Sequence, residues 1–297
     1  MSHYAYIEKN FKASSIELID TANEIIEEYQ ADGYVLTVRQ LYYQLVARDI
    51  IANNLKEYKR VAGIFNDARL AGLMDWDAIE DRTREFVRRS RWLSGAHAMR
   101  SIADQFHMDM WQGQPSRVFV IVEKEALIGV FERVCNEWDI PVLAARGYPS
   151  VSVVRSFVES DILPTIQDEQ RVHILHFGDH DPSGIDMSRD LKDRFNLFLS
   201  PSGDDYNYDF TRCALNMSQV EEQKPPENPA KSTDSRFASY VQQFGRSSWE
   251  LDALNPQYLT QLVTDELDDV IDLAQWQERS DEIEAIRRRM YEVGKEL

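Results

Sequence analysis

Cysteine is nearly absent from this 297-residue chain: Cys135 and Cys213 are the only two, far apart and in unlike contexts. They make neither a disulfide framework nor a CxxC zinc motif, so a reducing, cytoplasmic setting is expected. Glycine and proline are also sparse, at 12 and 10 residues, which excludes collagen-like and low-complexity readings. No apolar run approaches the roughly 20 residues of a membrane span; Val118 to Val122 is typical of the short runs present. Met1 to Lys12 carries no basic stretch followed by an apolar one, so no secretory signal is expected there. No GxxxxGKS/T or other Gly-rich phosphate loop occurs, so no nucleotide site is expected in this chain. Positive charge is short as well: 33 Lys and Arg face 51 Asp and Glu, a net of −18.

That net charge taken alone argues against a nucleic-acid partner, because phosphate binding wants a positive surface. Its distribution points the other way. Residues 1–116 carry 14 basic against 17 acidic residues, and the remaining 19 and 34 lie beyond them. The acid is therefore mostly C-terminal. Arg82, Arg84, Arg88, Arg89, Arg91 and Arg100 crowd one stretch of the N-terminal part. They make either a basic DNA-backbone track or a face neutralised by Asp75, Asp77, Glu80, Asp81 and Glu85.

Apolar spacing predicts helices over 13–30 (Ile16, Ile19, Ala22, Ile26), over about Val38 to Arg48 behind a Thr37 N-cap, and over roughly Leu55 to Ala71, stopped by Gly72. Tyr34 to Leu36 reads as extended, and Ile79 to Arg84 as a strand or wing. Three short helices, an extended flap and a basic segment outline a winged helix-turn-helix. Lys59, Arg60 and Arg69 on its third helix could face a duplex. A composition shift near Gln112 to Pro115 divides a domain over 1–112 from one over 113–297. Beyond it, strands (Arg117 to Val122, Pro141 to Ala145, Val172 to Phe177) alternate with helices (Glu125 to Trp138, Val151 to Ile166, Ser183 to Phe195). This predicts an α/β fold with a mainly parallel sheet. The polar segment 222–235 reads as a surface loop, Pro256 opens a helix, and Gln275 to Glu296 reads as a charged one.

Functional groups gather at the carboxyl ends of such strands. The first strand here ends in Val122-Glu123-Lys124, the third in Gly178-Asp179-His180-Asp181-Pro182. Asp179 and Asp181 are two apart and point to one side in extended chain. Three carboxylates around one point repel unless a cation joins them. Hard oxygen ligands favour Mg²⁺, with Mn²⁺ as a substitute. His180 should point away, as a bystander or a phosphate contact. Pro182-Ser183-Gly184 then opens a helix whose N-terminus could face an anion.

These motifs resemble the Toprim domain, and more narrowly the topoisomerase VI A subunit and the related meiotic double-strand-break family. VEKEA at 122–126, RGYPS at 146–150 followed by Arg155, FGDHDPSG at 177–184, WELDAL at 249–254 and VRQLYY at 38–43 carry the resemblance, which spans about 37–260. It implies a winged-helix domain ahead of a Rossmann-like Toprim domain. It assigns metal binding to Glu123, Asp179 and Asp181, the nucleophile to Tyr43, and assistance at the phosphate to Arg39. Arg155 is expected to line the DNA channel. A phenol has a pKa near 10 and needs a cation beside it to attack at neutral pH. Tyr42 and Tyr43 point about 100° apart on a helix, so one can be buried while the other is exposed.

The resemblance thus implies Mg²⁺-dependent cleavage of double-stranded DNA through a phosphotyrosyl link. It further implies a homodimer in which the tyrosine of one subunit works beside the metal of the other, with a separate ATPase B-type subunit for any ATP-driven step. The chain is shorter than a typical A subunit and has no evident coupling segment. Two alternatives stand beside this reading. One is a Toprim nuclease or nickase without a covalent intermediate. The other is a non-catalytic DNA-binding assembly subunit.

Overall fold

The structure is a computed structural model that describes residues 3–79, 91–199 and 207–296. Its N-terminal part opens with α1 (Ala13–Ala31), α2 (Val38–Ala47) and α3 (Leu55–Leu70). Local chemistry sets their ends. Thr37 and Gln40 form a reciprocal capping box at α2. The Asn54 side chain accepts from Glu57 N at 2.9 Å to start α3. Gly72 follows α3 with a φ of +73°, a turn that favours glycine. One apolar cluster, drawn from residues 18–79, joins Ile19, Ile25, Leu41, Leu45 and Phe65. Ile16 is exposed, so the buried stripe of α1 runs through Leu18 and Ile25 instead. Leu36 makes an isolated parallel bridge to Ile79. Residues 80–84 of the expected wing lie outside the described residues.

α4 (Gly95–Gln105) then leads to a four-stranded, all-parallel sheet. Its strands are β1 (Ser116–Val122), β2 (Val142–Ala144), β3 (Arg171–Phe177) and β4 (Tyr208–Ala214), in the order β2-β1-β3-β4. Both faces are covered, as a parallel sheet requires. Val118, Val120 and Val122 of β1 face one cluster with α5 (Ile128–Glu137), while Phe119 and Ile121 face another with α6 (Val151–Phe157). The helix expected from Val151 to Ile166 runs unbroken from Val151 to Gln167, with a π-helical stretch over Val158–Ile162 between α6 and α7 (Leu163–Gln167). Pro164, which has no N–H to give the preceding turn, follows directly on this wider stretch. α8 (Pro182–Leu199) completes the second face.

The chain continues through α9 (Met217–Gln223), β5 (Asn228–Pro229), α10 (Phe237–Phe244) and β6 (Ser247–Ser248). β5 and β6 pair antiparallel, so the segment expected as loop over 222–235 contributes a short ribbon. α11 (Pro256–Leu267) joins the first sheet cluster, and α12 (Leu273–Gly294) lies against α4. α4 falls within the expected N-terminal domain yet packs on this last helix. No helix among the described residues is long and apolar enough to cross a membrane.

Candidate catalytic site at the sheet edge

β1 and β3 are neighbours in full register, with Val122 opposite Phe177. β1 connects outward to β2 on one side, and β3 to β4 on the other. The crevice beyond their carboxyl ends is therefore the topological switch point of the sheet. Glu123 N donates to Phe177 O at 2.8 Å, so the ladder runs on into the site. The Glu123 carboxylate accepts from Asp179 N at 2.8 Å. Gly178 and Gly184 make room for it: a Cβ at either would come within about 3 Å of Glu123 Oε2. At Gly184 that Cβ would also meet Asp179 O at 2.3 Å. The two glycines of the FGDHDPSG motif thus form a cradle for the glutamate of another strand.

The two aspartates engage different partners. Asp181 Oδ1 accepts from Gly184 N at 2.7 Å and from Ser183 Oγ at 3.0 Å, so it caps the helix end expected to face an anion. Asp179 Oδ1 accepts from Leu251 N at 2.7 Å and pairs with Lys124 Nζ at 3.0 Å. His180 is buried, bonded to Tyr240 Oη at 2.9 Å and ringed by Phe244 and Trp249. Among the described residues, no three histidine, cysteine, aspartate or glutamate side chains already stand together as a metal site.

A second carboxylate pair, Glu250 and Asp252, completes the cluster. WELDAL marked its place in the chain without a role. Lys124 Nζ lies 2.8 Å from Glu250 Oε2 and 2.9 Å from Asp252 Oδ1. The same two acids hold Arg39: it is bonded to Glu250, and its Nε lies 2.8 Å from Asp252 Oδ2. Arg39 Nη2 in turn donates to Tyr43 Oη at 3.4 Å, and the guanidinium lies over the Tyr43 ring. Residues 39, 43, 123, 124, 179, 250 and 252 thus form one continuous path of contacts.

Both tyrosines of the pair are buried, Tyr42 at 3% and Tyr43 at 4% exposure. Their different directions find different cover. Tyr42 Oη accepts from Asn54 N at 2.9 Å, while Tyr43 shares an apolar cluster with Ala253. A cavity of about 200 Å³ opens beside them, lined by Tyr58, Asn53 and Arg39 among others.

Electrostatics follows from this packing. Burial raises Asp179 to about 7, opposed by Lys124 and reinforced by Glu123. Burial also raises Glu123. It resists ionisation of Glu250, but Lys124 and Arg39 outweigh it and hold that acid near 2. Lys124 is desolvated too, yet Asp179, Asp252 and Glu250 keep it above the ordinary lysine range. Burial raises the Tyr43 phenol, as do Asp252 and Glu250, against Arg39. Arg212, on β4, escaped sequence reading altogether. It donates to the carbonyls of Gly178 (3.0 Å), Asp179 (2.6 Å) and Gly184 (3.0 Å), tying down the loop from below. Burial lowers its pKa to about 10, against Glu123, Asp179 and Asp181.

Hard oxygens of this kind are what a small divalent cation takes, and the absence of a Cβ at Gly178 and Gly184 leaves room for the Glu123 carboxylate among them. Counted formally, five carboxylates (Glu123, Asp179, Asp181, Glu250, Asp252) meet three cations (Arg39, Lys124, Arg212), an excess of two negative charges when all are ionised.

The residues expected to contact DNA are mostly at the surface or in local pairs where they are described. Lys59 is exposed on α3; Arg60 beside it pairs with Glu57 at 2.7 Å. Arg69 lies over the Trp76 ring, Arg91 is exposed, and Arg155 pairs with Glu159 at 2.7 Å. Arg84, Arg88 and Arg89 lie outside the described residues. Compared with known protein families and with curated proteins, the chain matches none.

Proposed function

We propose that this chain cleaves double-stranded DNA by Mg²⁺-dependent tyrosyl transesterification, in the manner of a compact topoisomerase VI A subunit with winged-helix and Toprim parts. The observation that carries the reading is the contact path from Tyr43 through Arg39, Glu250, Lys124 and Asp179 to Glu123. It joins a phenol and hard carboxylates more than 75 residues apart in sequence, at the switch point of a parallel sheet. Glu123, Asp179 and Asp181 would hold the ion, which when bound stabilises charge on the phosphate.

Tyr43 Oη forms a bond to phosphorus as one P–O bond to deoxyribose breaks. The phenolic proton is lost, and the departing deoxyribose oxygen takes one up. Arg39 favours the phenolate and meets the phosphate. The described conformation keeps the phenol buried and protonated. Cleavage therefore includes a movement of α2 away from Ala253, consistent with a homodimer in which each tyrosine serves the partner's carboxylates. Any ATP-driven step belongs to a separate B-type subunit.

The burial of Tyr43 also favours a second reading, a Toprim nuclease in which water attacks instead. Cleavage of supercoiled plasmid with Mg²⁺ or Mn²⁺, stopped with detergent, separates them. Transesterification leaves DNA that enters the gel only after protease, and both Tyr43→Phe and Asp181→Ala abolish it. Free nicked or linear DNA that needs Asp181 but not Tyr43 establishes hydrolysis. Binding of DNA with no cleavage under either metal assigns the chain an assembly role.

A further inference from the structure

Three carboxylate oxygens surround Lys124 Nζ: Asp179 Oδ1 at 3.0 Å, Glu250 Oε2 at 2.8 Å and Asp252 Oδ1 at 2.9 Å. They come from two segments of the chain, the end of β3 and the return at 249–252. An ammonium has three N–H donors; it donates to Glu250 Oε2 and Asp252 Oδ1, and Asp179 Oδ1 completes the ring as an ion pair. Mg²⁺ would need oxygens at about 2.0–2.1 Å, so the cradle as built is sized for a hydrogen-bonding cation. Desolvating a lysine is costly without such compensation. Its retention here, with only a fifth of the side chain exposed, points to a fixed positive charge at a defined place.

That place is informative. Asp179 has Lys124 on its side chain and the Glu123 carboxylate on its backbone N–H. Beyond Lys124, Glu250 and Asp252 pass on to Arg39 and Tyr43. The ammonium therefore lies between the Glu123 seat and the tyrosine. In two-metal phosphoryl-transfer sites a cation near the nucleophile holds this relation to the other ion, across a shared carboxylate. We propose that the Lys124 ammonium permanently occupies the second cation position, so that the site takes one divalent ion, seated on Glu123 with Asp181, and Asp179 is shared between that ion and Lys124. The inference rests on the metal-centre part of the proposed function. The excess of two negative charges in the cluster matches one divalent ion with Lys124 in place. Without Lys124 the formal excess becomes three, and the space between Asp179, Glu250 and Asp252 opens to a second ion, with Glu250 still bonded to Arg39 and Asp179 to Leu251 N.

Counting bound Mn²⁺ on the full chain, by equilibrium titration with electron paramagnetic resonance of the free ion, tests this without reference to cleavage. The wild type should bind one ion per chain. Lys124→Ala should bind two, the second more weakly, and Lys124→Arg should return to one. Glu123→Gln should lose the wild-type ion. Two ions on the wild type would overturn the proposal. So would a folded Lys124→Ala chain that still binds one. Lys124→Gln serves the same comparison should the alanine chain lack a cooperative melt. A wild type that binds no ion at all would instead overturn the metal centre itself, and with it the reading on which this inference rests.

Discussion

The three-helix region and the carboxyl edge of the sheet touch through Arg39, yet they are built in opposite ways. The buried apolar core of the helical region is drawn from residues 18–79, with Phe11 packed against it. Its ends are set by neighbours three or four residues away, such as Thr37 with Gln40. The sheet edge collects ionisable groups from positions 39, 123–124, 179–181, 212 and 250–252. A local framework tolerates change at open positions. A site assembled from distant pieces fails when any one backbone approach is blocked.

Glycine makes this contrast measurable, and Gly184 should show the largest effect. A Cβ there meets Asp179 O at 2.3 Å and Glu123 Oε2 at 3.0 Å. The first of these is backbone, held in turn by Arg212 at 2.6 Å, and cannot swing aside. Gly184→Ala is expected to destabilise the chain by about 3 kcal/mol, at the upper end of overpacking costs. It should also weaken Mn²⁺ binding at least tenfold, because the Glu123 seat must open. Thermal melts and the same ion titration check both. An unchanged ion affinity would detach the cradle from the metal.

The same difference decides what could be read in advance. α1, α2 and α3 match the expected spans to within one residue at each end, because caps and apolar spacing are local signals. β1 and β3 were legible too. β1 reads as a continuous apolar run from Val118 and β3 as Val, Ile, Leu and Phe interrupted by two histidines, and the acids that follow them stand out. β4 was not. It is half-buried, and its Tyr-Asp-Phe-Thr-Arg sequence mixes polar and apolar residues. Arg212 was invisible with it, although its donors hold the whole site loop. Glu250 and Asp252 lay in a segment picked out by resemblance, but their partner Arg39 is 211 residues away from Glu250. No local pattern encodes that meeting. Tyr42 and Tyr43 failed differently: helical geometry gave their directions correctly, but not that both directions would be covered.

Acid should strain the sheet before the helices. His176 of β3 is fully buried, and burial, then Arg212, lowers its pKa to about 3. The helical cluster contains no histidine. A base whose folded pKa lies below its unfolded value of about 6.5 binds fewer protons when folded, so it adds stability above that pH and loses it as pH falls toward 3. The slope is at most about 1.4 kcal/mol per pH unit. Asp179 works in the other direction. Its raised pKa makes the folded chain gain stability as pH falls through about 7 toward the unfolded carboxylate range. Urea unfolding of wild type and His176→Gln at pH 7.5 and 5.0 isolates the histidine. The wild type should lose about 2 kcal/mol more than the variant between those conditions. Equal losses would mean that the imidazole is already accessible to protons.

Gly63 gives the smallest effect and the cleanest counterpart to Gly184. It lies in the middle of α3, and a Cβ there meets nothing within 4 Å. Its φ is not among the positive ones, so alanine fits the backbone without strain. The substitution removes conformational freedom from the unfolded chain and adds a better helix former. Gly63→Ala should therefore stabilise the chain by about 0.5–1 kcal/mol and leave Mn²⁺ stoichiometry untouched. The sign is what matters. One methyl group added to each region should raise the melting temperature in the helices and lower it at the sheet edge. If α3 approaches a duplex along this open face, the same methyl group should weaken DNA binding while stability rises. Salt-dependent affinity measured on Gly63→Ala beside the neighbouring Lys59→Ala would then separate a DNA-facing helix from a merely solvated one.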